Sequence, residues 1–104
     1  MNIRVLKLVT GEELVADVTM NNGSYTVMNP LRIMMVPPKP GTEGISIGLA
    51  PFAPYVDWAK GANIAADKVV FIMDAAKDMA SQYASIFSPL ALPIQKWAQR
   101  IIGY

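Results

Sequence analysis

The sequence of 104 residues contains no cysteine and no histidine. Without cysteine the chain has neither a disulfide framework nor a thiolate to bind a metal ion or attack a substrate. Without histidine it lacks the most common general base, the most common zinc ligand and the central member of a Ser-His-Asp triad. The neighbouring carboxylates Glu12 and Glu13 would point to opposite faces of a strand. We therefore expect a protein that is not an enzyme and that uses no cofactor.

Charge is also scarce, at 16% of the residues, and nine Lys and Arg nearly balance eight Asp and Glu. A net charge of +1 creates no long-range field that attracts nucleic acid or a membrane. Any nucleic-acid contact must come from a few well-placed groups, or from one site repeated by symmetry. We expect no signal peptide, because Arg4 and Lys7 interrupt the apolar residues at the start of the sequence. We also expect no membrane span, because Pro89 and Pro93 interrupt the uncharged stretch 79–95. Together with the absence of cysteine, this predicts a cytoplasmic protein without membrane partners.

Apolar residues, by contrast, are abundant, at 53% of the chain. A chain of this length is expected to form a single domain over residues 1–104, whose interior is too small to hide so much apolar surface. The excess predicts that subunits bury apolar surface against one another, and hence an oligomer.

The first two thirds of the chain are typical of short antiparallel strands. Leu14, Ala16 and Val18 alternate with polar residues, which indicates a half-buried strand. Gly11 and Asn22-Gly23 mark tight turns on either side of it. Pro30 indicates a bend or an edge position, because it cannot donate to a ladder. The strand-like runs cover residues 3–9, 13–20, 24–29 with 31–36, 45–49 and 69–73.

The last third is typical of helices. Asp74 is a suitable N-cap, and a stripe of apolar residues follows at helical spacing. Ser88-Pro89 would end this helix and begin a second one. The stripes are Met79, Tyr83, Ile86 and Phe87, and then Leu90, Ile94, Trp97 and Ile101. The predicted fold is mainly β with C-terminal helices: a small, strongly bent, five-stranded antiparallel barrel over residues 1–73, followed by two short α-helices over 74–104.

Two segments resemble the motifs of a known family. Residues 5–18, with Gly11, Ala16 and Val18 at the turn and after it, resemble the first Sm motif, and Met28-Asn29 resembles its end. Lys60-Gly61-Ala62-Asn63-Ile64 is similar to the Arg-Gly-x-Asn-Ile of the second motif. The chain thus resembles a divergent, phage-type short member of the Sm-like (LSm) family. It departs from the family pattern in having its helices at the end, and Tyr25 in place of an Asp.

The resemblance implies a homo-oligomeric ring of about five to seven subunits, in which strand 45–49 pairs with strand 69–73 of the neighbour. It implies binding of single-stranded nucleic acid, RNA rather than DNA, with no catalysis. Asn29 would bond a base edge beside Met28, Lys60 would meet a phosphate or a base, Gly61 would allow close backbone approach, and Asn63 would brace the loop.

The same residues have simpler interpretations, which stay open at this point. Asn29 before Pro30 is also an ordinary turn residue, and Lys60-Gly61 is also typical of a solvated turn. The aromatic residues either stack on bases or belong to a core or interface. These are Tyr25, Phe52, Tyr55 and Trp58. An alternative function is a structural or adaptor oligomer that uses the apolar stretch 79–95 to bind a protein partner.

Overall fold

The computed structural model describes residues 1–41, 43–44 and 46–87, which form an antiparallel sheet with one α-helix packed on it. The protein is therefore mainly β, as predicted. This part of the chain has six strands rather than five, because residues 62–65 form an additional short strand. The strands are β1 (Ile3–Leu8), β2 (Glu13–Asn21), β3 (Ser24–Val36), β4 (Ser46–Pro51), β5 (Ala62–Ala65) and β6 (Val69–Asp74), and the helix is α1 (Lys77–Phe87).

The strands pair in the order β4–β3–β2–β1–β6. β5 pairs with the first half of β3 and β4 with its second half, so both lie on the side of β3 opposite to β2. Among the described residues no ladder joins β4 to β6, so the sheet is open and these two strands end it.

Both predicted turns are present. Between β1 and β2 the amide of Leu8 donates to the carbonyl of Glu12 at 2.9 Å. Between β2 and β3 Asn21 pairs with Ser24, and Gly23 has a φ of 74°. That left-handed backbone is the conformation that glycine adopts without steric cost.

A bulge in β3 contains Asn29 and Pro30. Asp17 faces Met28 and Val15 faces Leu31, so two steps along β2 are matched by three along β3. The bend predicted at Pro30 takes the form of this bulge; the alternative of an edge position does not apply, since β3 continues beyond Pro30 beside β2. The bulge tolerates a proline because one of its residues is left out of the ladder.

The sheet carries a hydrophobic core on each face. On the first face Leu6, Leu14 and Val27 are completely buried, and on the second face Val15 is completely buried against Leu31. Leu14, Ala16 and Val18 form the buried face predicted for β2, but Val15 on the opposite face is buried as well. Helix α1 causes the difference, because it covers the face on which Val15 lies.

Helix α1 packs through the predicted stripe, whose members Met79, Tyr83, Ile86 and Phe87 all join the second core. Its predicted N-cap was wrong: Asp74 ends β6, three residues before the helix begins, and its carboxylate lies 3.6 Å from the guanidinium of Arg4. The second predicted helix, from Ser88 onward, lies outside the described residues.

The edge strands expose apolar side chains. Val70 and Met73 on β6 are 60% and 64% exposed, and Ile47 on β4 is 51% exposed. The interpretation of 69–73 as a strand buried on both faces of the chain itself was thus wrong. Its other interpretation, one buried face plus a contact with another subunit, is taken up below.

Candidate nucleic-acid interface

The two predicted binding segments lie next to each other. A Cβ atom placed on Gly61 would lie 3.2 Å from Cγ of Met28 and 3.0 Å from Cγ2 of Thr26. The pairing of β5 with β3 causes this contact, because Ala62 stands opposite Val27. The residue before Ala62 is thereby brought against β3. Glycine at this position lets two backbone segments approach more closely than any side chain would allow.

Asn63 is held by a polar network on the same face of the sheet. Its Oδ1 accepts a hydrogen bond of 2.9 Å from the hydroxyl of Thr26, and the side-chain amide of Asn21 donates to that hydroxyl. The network links β2, β3 and β5. It fixes the loop before β5 relative to the hairpin of β2 and β3.

Lys60 is an exposed cation at the surface of this region. It ends the short 3-10 helix Trp58–Lys60, its side chain is 84% exposed, and its Nζ lies 3.6 Å from a carboxylate oxygen of Asp57. Ion pairs between exposed groups contribute little to the stability of a protein. Lysine has three N–H donors, so Lys60 can bind a phosphate while keeping or releasing Asp57.

Asn29 lies in the bulge with a φ of 50°, a left-handed conformation that asparagine tolerates better than most residues. Its carbonyl accepts a hydrogen bond of 3.0 Å from the hydroxyl of Tyr83. Its side-chain amide has no hydrogen-bond partner among the described residues. The backbone of Asn29 is therefore held from within the protein, and its amide group is available to a ligand.

Of the four aromatic residues singled out in the sequence, three pack against the first core: Tyr25, Phe52 and Trp58. The indole N–H of Trp58 donates to the carbonyl of Ala53 at 3.0 Å, and its ring lies 5.9 Å from that of Phe52. Tyr55, within the loop that these contacts hold, is 88% exposed. Tyr55 is the member of this set that can meet a base without disturbing the core.

Two residues near the site were missed by sequence reasoning. Thr26 joins Asn63 to Asn21, and Tyr83 bonds the backbone at Asn29. No sequence signal marks Thr26, because its role depends on the unexpected strand β5. Tyr83 appeared in the helical stripe, which predicts its burial but not the use of its hydroxyl.

The close approach at Gly61 predicts a large effect of a single methyl group. Gly61→Ala should lower the free energy of unfolding by about 1–3 kcal/mol from the backbone conformation, whose φ of 81° and ψ of 142° lie in a region that residues other than glycine rarely adopt, and by about 1–3 kcal/mol more from overpacking against Thr26 and Met28. Urea denaturation measures the sum.

Gly23→Ala is the matched control for this prediction. Its φ of 74° is also positive, so alanine is strained there too, yet a Cβ atom there would meet no heavy atom within 4 Å. The loss of stability should therefore be clearly larger for Gly61→Ala. Equal losses would contradict the contact between the two predicted binding segments.

Two other features are not found among the described residues. No cluster of three acidic side chains is placed to hold a metal ion in this part of the chain. Among the same residues, no helix has the length and apolar character needed to cross a membrane. Comparison with models of known protein families and with curated protein sequences finds no match to the chain.

Proposed function

We propose that the protein is a Sm-like subunit that assembles into a homo-oligomeric ring, binds single-stranded RNA in preference to single-stranded DNA, and catalyses no reaction. Met28, Asn29, Lys60, Gly61 and Asn63 form the binding site in this proposal. The small bent barrel of the Sm-like family is part of the same proposal.

One observation carries the proposal above the others. Met28 and Gly61 are 33 positions apart in the sequence, yet a Cβ on Gly61 would lie 3.2 Å from the Met28 side chain. The resemblance assigns these residues to one binding surface, and it does so without knowledge of any contact between them. Their proximity supports a common site.

The groups at this surface suit a flexible polynucleotide. The exposed ammonium group of Lys60 can neutralise a phosphate, and the amide of Asn29 can donate to and accept from a base edge. Exposed Tyr55 offers a ring on which a base can stack. Stacking of this kind tolerates any base, so selectivity would come from Asn29.

The edges of the sheet support assembly. Strands β4 and β6, which the ring requires to pair between subunits, are the two ends of the strand order. Both expose apolar side chains, including Ile47 and Val70. An open apolar edge promotes uncontrolled association, and pairing β4 of one copy with β6 of the next removes both edges at once.

Symmetry compensates for the low charge of one subunit. A single exposed lysine gives a weak phosphate site, but a ring repeats Lys60 once per subunit and binds one strand at several points. Binding should then weaken steeply with salt, with a slope in log K against log salt of about −0.7 for each phosphate contact.

The proposal is tested by fluorescence anisotropy with labelled oligo-U, oligo-A and oligo-dT at low and moderate salt. The double substitution Lys60→Ala and Asn29→Ala should abolish binding, since it removes the phosphate contact and the base contact together. The size of the assembly should be unchanged, because neither residue lies on β4 or β6.

Lys68→Ala is the control, since Lys68 is also an exposed lysine at the end of a 3-10 helix. It should leave the affinity unaltered. Absence of binding by the wild-type protein at micromolar concentration and low salt would refute the nucleic-acid function. Unchanged affinity of the double variant would place the site elsewhere.

A second candidate function, an adaptor for a protein partner, is favoured by a groove of about 620 Å³ between α1 and the second half of β3. Its lining includes Val5, Ile33, Met35, Ile47 and Met79, with Glu13 and Asp78 also lining it. Apolar walls with two carboxylates fit an amphipathic segment that carries basic residues. Saturable binding of such a peptide, together with no binding of oligonucleotides, would favour the adaptor.

A further inference from the structure

The hydroxyl of Tyr83 makes three contacts with the backbone of the sheet. It accepts from the amide of Asp17 at 3.2 Å, and it lies 3.1 Å from the carbonyl oxygen of Met28 and 3.0 Å from that of Asn29. A hydroxyl has one proton, so its donation is shared between the two carbonyls. Tyr83 is completely buried, and no other residue of α1 is buried to this degree.

These contacts fill a gap in the ladder between β2 and β3. The register shifts between Val15 and Asp17, where β3 has one residue more than β2. The amide of Val18 donates towards β1, to the carbonyl of Asn2, so the amide of Asp17 faces β3. There it donates to the Tyr83 hydroxyl, which lies 3.1 Å from the carbonyl oxygen of Met28, the residue opposite Asp17. The Tyr83 hydroxyl takes the place of the missing rung, accepting from β2 and donating to β3.

The bulge held in this way is part of the candidate site. The side chain of Met28 lies against Gly61. The backbone of Asn29, with a φ of 50°, sets the direction of its side-chain amide. We propose that Tyr83 is a positioning residue, through which helix α1 fixes the Met28-Asn29 bulge in the conformation that binds nucleic acid. This inference rests on the proposed function for its last step, whereas the positioning itself does not.

The hydroxyl is suited to this role because it stays protonated. Burial raises the pKa of Tyr83 well above its usual value, although the hydrogen bond from Asp17 opposes the shift. The proton that is shared between the two carbonyls is therefore retained under all ordinary conditions. Any displacement of α1 would take the hydroxyl away from both carbonyls and from the amide of Asp17.

Hydrogen exchange of the wild-type protein tests the positioning without any variant. The amide of Asp17 depends on α1 for its acceptor, whereas that of Val18 depends on the carbonyl of Asn2. The protection of the Asp17 amide should therefore match that of the amides within α1. The protection of the Val18 amide should match that of the amides in the β1–β2 ladder. If Asp17 is protected like Val18 while α1 exchanges faster, the inference is overturned.

Tyr83→Phe tests the link to binding, because it removes only the hydroxyl. We expect exchange of the Asp17 amide to accelerate by about tenfold or more and the NMR signals of Met28 and Asn29 to shift. The affinity for oligo-U should fall by about tenfold. Tyr25→Phe is the matched control. It also removes one tyrosine hydroxyl, but that hydroxyl has no hydrogen-bond partner among the described residues, so exchange and affinity should be unchanged.

The outcomes separate the inference from the proposed function. Altered signals at Asn29 with unaltered affinity for oligo-U would overturn the role of Tyr83 in binding and leave the proposed function intact. Wild-type protein that binds no oligonucleotide would refute the proposed function, and exchange at Asp17 would then decide the positioning alone. Unaltered exchange at Asp17 in Tyr83→Phe would overturn the inference in every case.

Discussion

When Ile47 or Val70 is replaced by lysine, we expect the assembled protein to dissociate into monomers. Each residue is apolar and more than half exposed, Ile47 on β4 and Val70 on β6. Each pairing between subunits in the proposed ring uses β4 of one copy and β6 of the next. Charging either edge in all copies thus disrupts every contact, since lysine on an edge strand opposes strand addition. Sedimentation velocity over a range of protein concentrations measures the change.

Mixing the two variants gives a sharper result. Ile47→Lys leaves β6 intact and Val70→Lys leaves β4 intact, so one chain of each kind can form one unaltered contact. The edges that remain on this pair are both charged. Because the contact joins two different surfaces, it does not close upon itself. The mixture should therefore form a one-to-one dimer and nothing larger.

Met20→Lys is the control for these variants. Met20 is also apolar and is 68% exposed, but it lies opposite Tyr25 on β2, which is neither of the two strands that end the sheet. Its substitution should leave the assembly unchanged. A wild-type protein that is monomeric at every concentration would refute the ring. Dissociation by Met20→Lys would mean that lysine acts by lowering solubility or stability and not by blocking an edge.

Much of the sheet follows from local signals in the sequence. The turn at Gly11 and the hairpin at Asn22-Gly23 were predicted from residues that favour left-handed or tight backbone, and both are present. The stripe of α1 was predicted from helical spacing. These features depend on neighbours within a few positions, so a single sequence contains the information that determines them.

The errors concern features that depend on distant parts of the chain. Pro30 indicated a bend or an edge, and nothing nearby showed that one strand would continue past it through a bulge. Val15 was assigned to no core because α1, which covers it, begins 62 residues later. The strand Ala62–Ala65 is too short and too weakly patterned to be recognised without its partner in β3.

In the candidate site, too, some features follow from local sequence signals and others depend on distant parts of the chain. Motif resemblance supplied Met28 and Gly61, and their proximity agrees with a shared surface. The contacts that fix their geometry come instead from Thr26 and Tyr83, whose roles arise from pairing and packing. Side chains that support a site from behind have no spacing of their own in the sequence, since the sheet brings them together.

Truncating one core residue on each face of the sheet tests whether α1 covers the second face. Leu14 and Leu31 are 0% and 4% exposed, and they belong to the first and second core. Leu14→Ala and Leu31→Ala should each lower the free energy of unfolding by about 2–5 kcal/mol, a large part of the stability of a small domain. Chemical denaturation measures both, and Met20→Ala at the surface should change it by less than about 0.5 kcal/mol.

The difference between the losses of stability at the two leucines shows whether α1 packs on the sheet. Leu14 is enclosed by the strands themselves, so its truncation leaves a cavity whatever α1 does. Leu31 packs with Val15 and with Tyr83 of α1, so its enclosure depends in part on the helix. A large loss for Leu14→Ala with a loss below about 0.5 kcal/mol for Leu31→Ala would show that α1 does not pack on the sheet in solution. Similar losses would mean that α1 is part of the folded core, which is the condition under which Tyr83 can hold the bulge at Asn29.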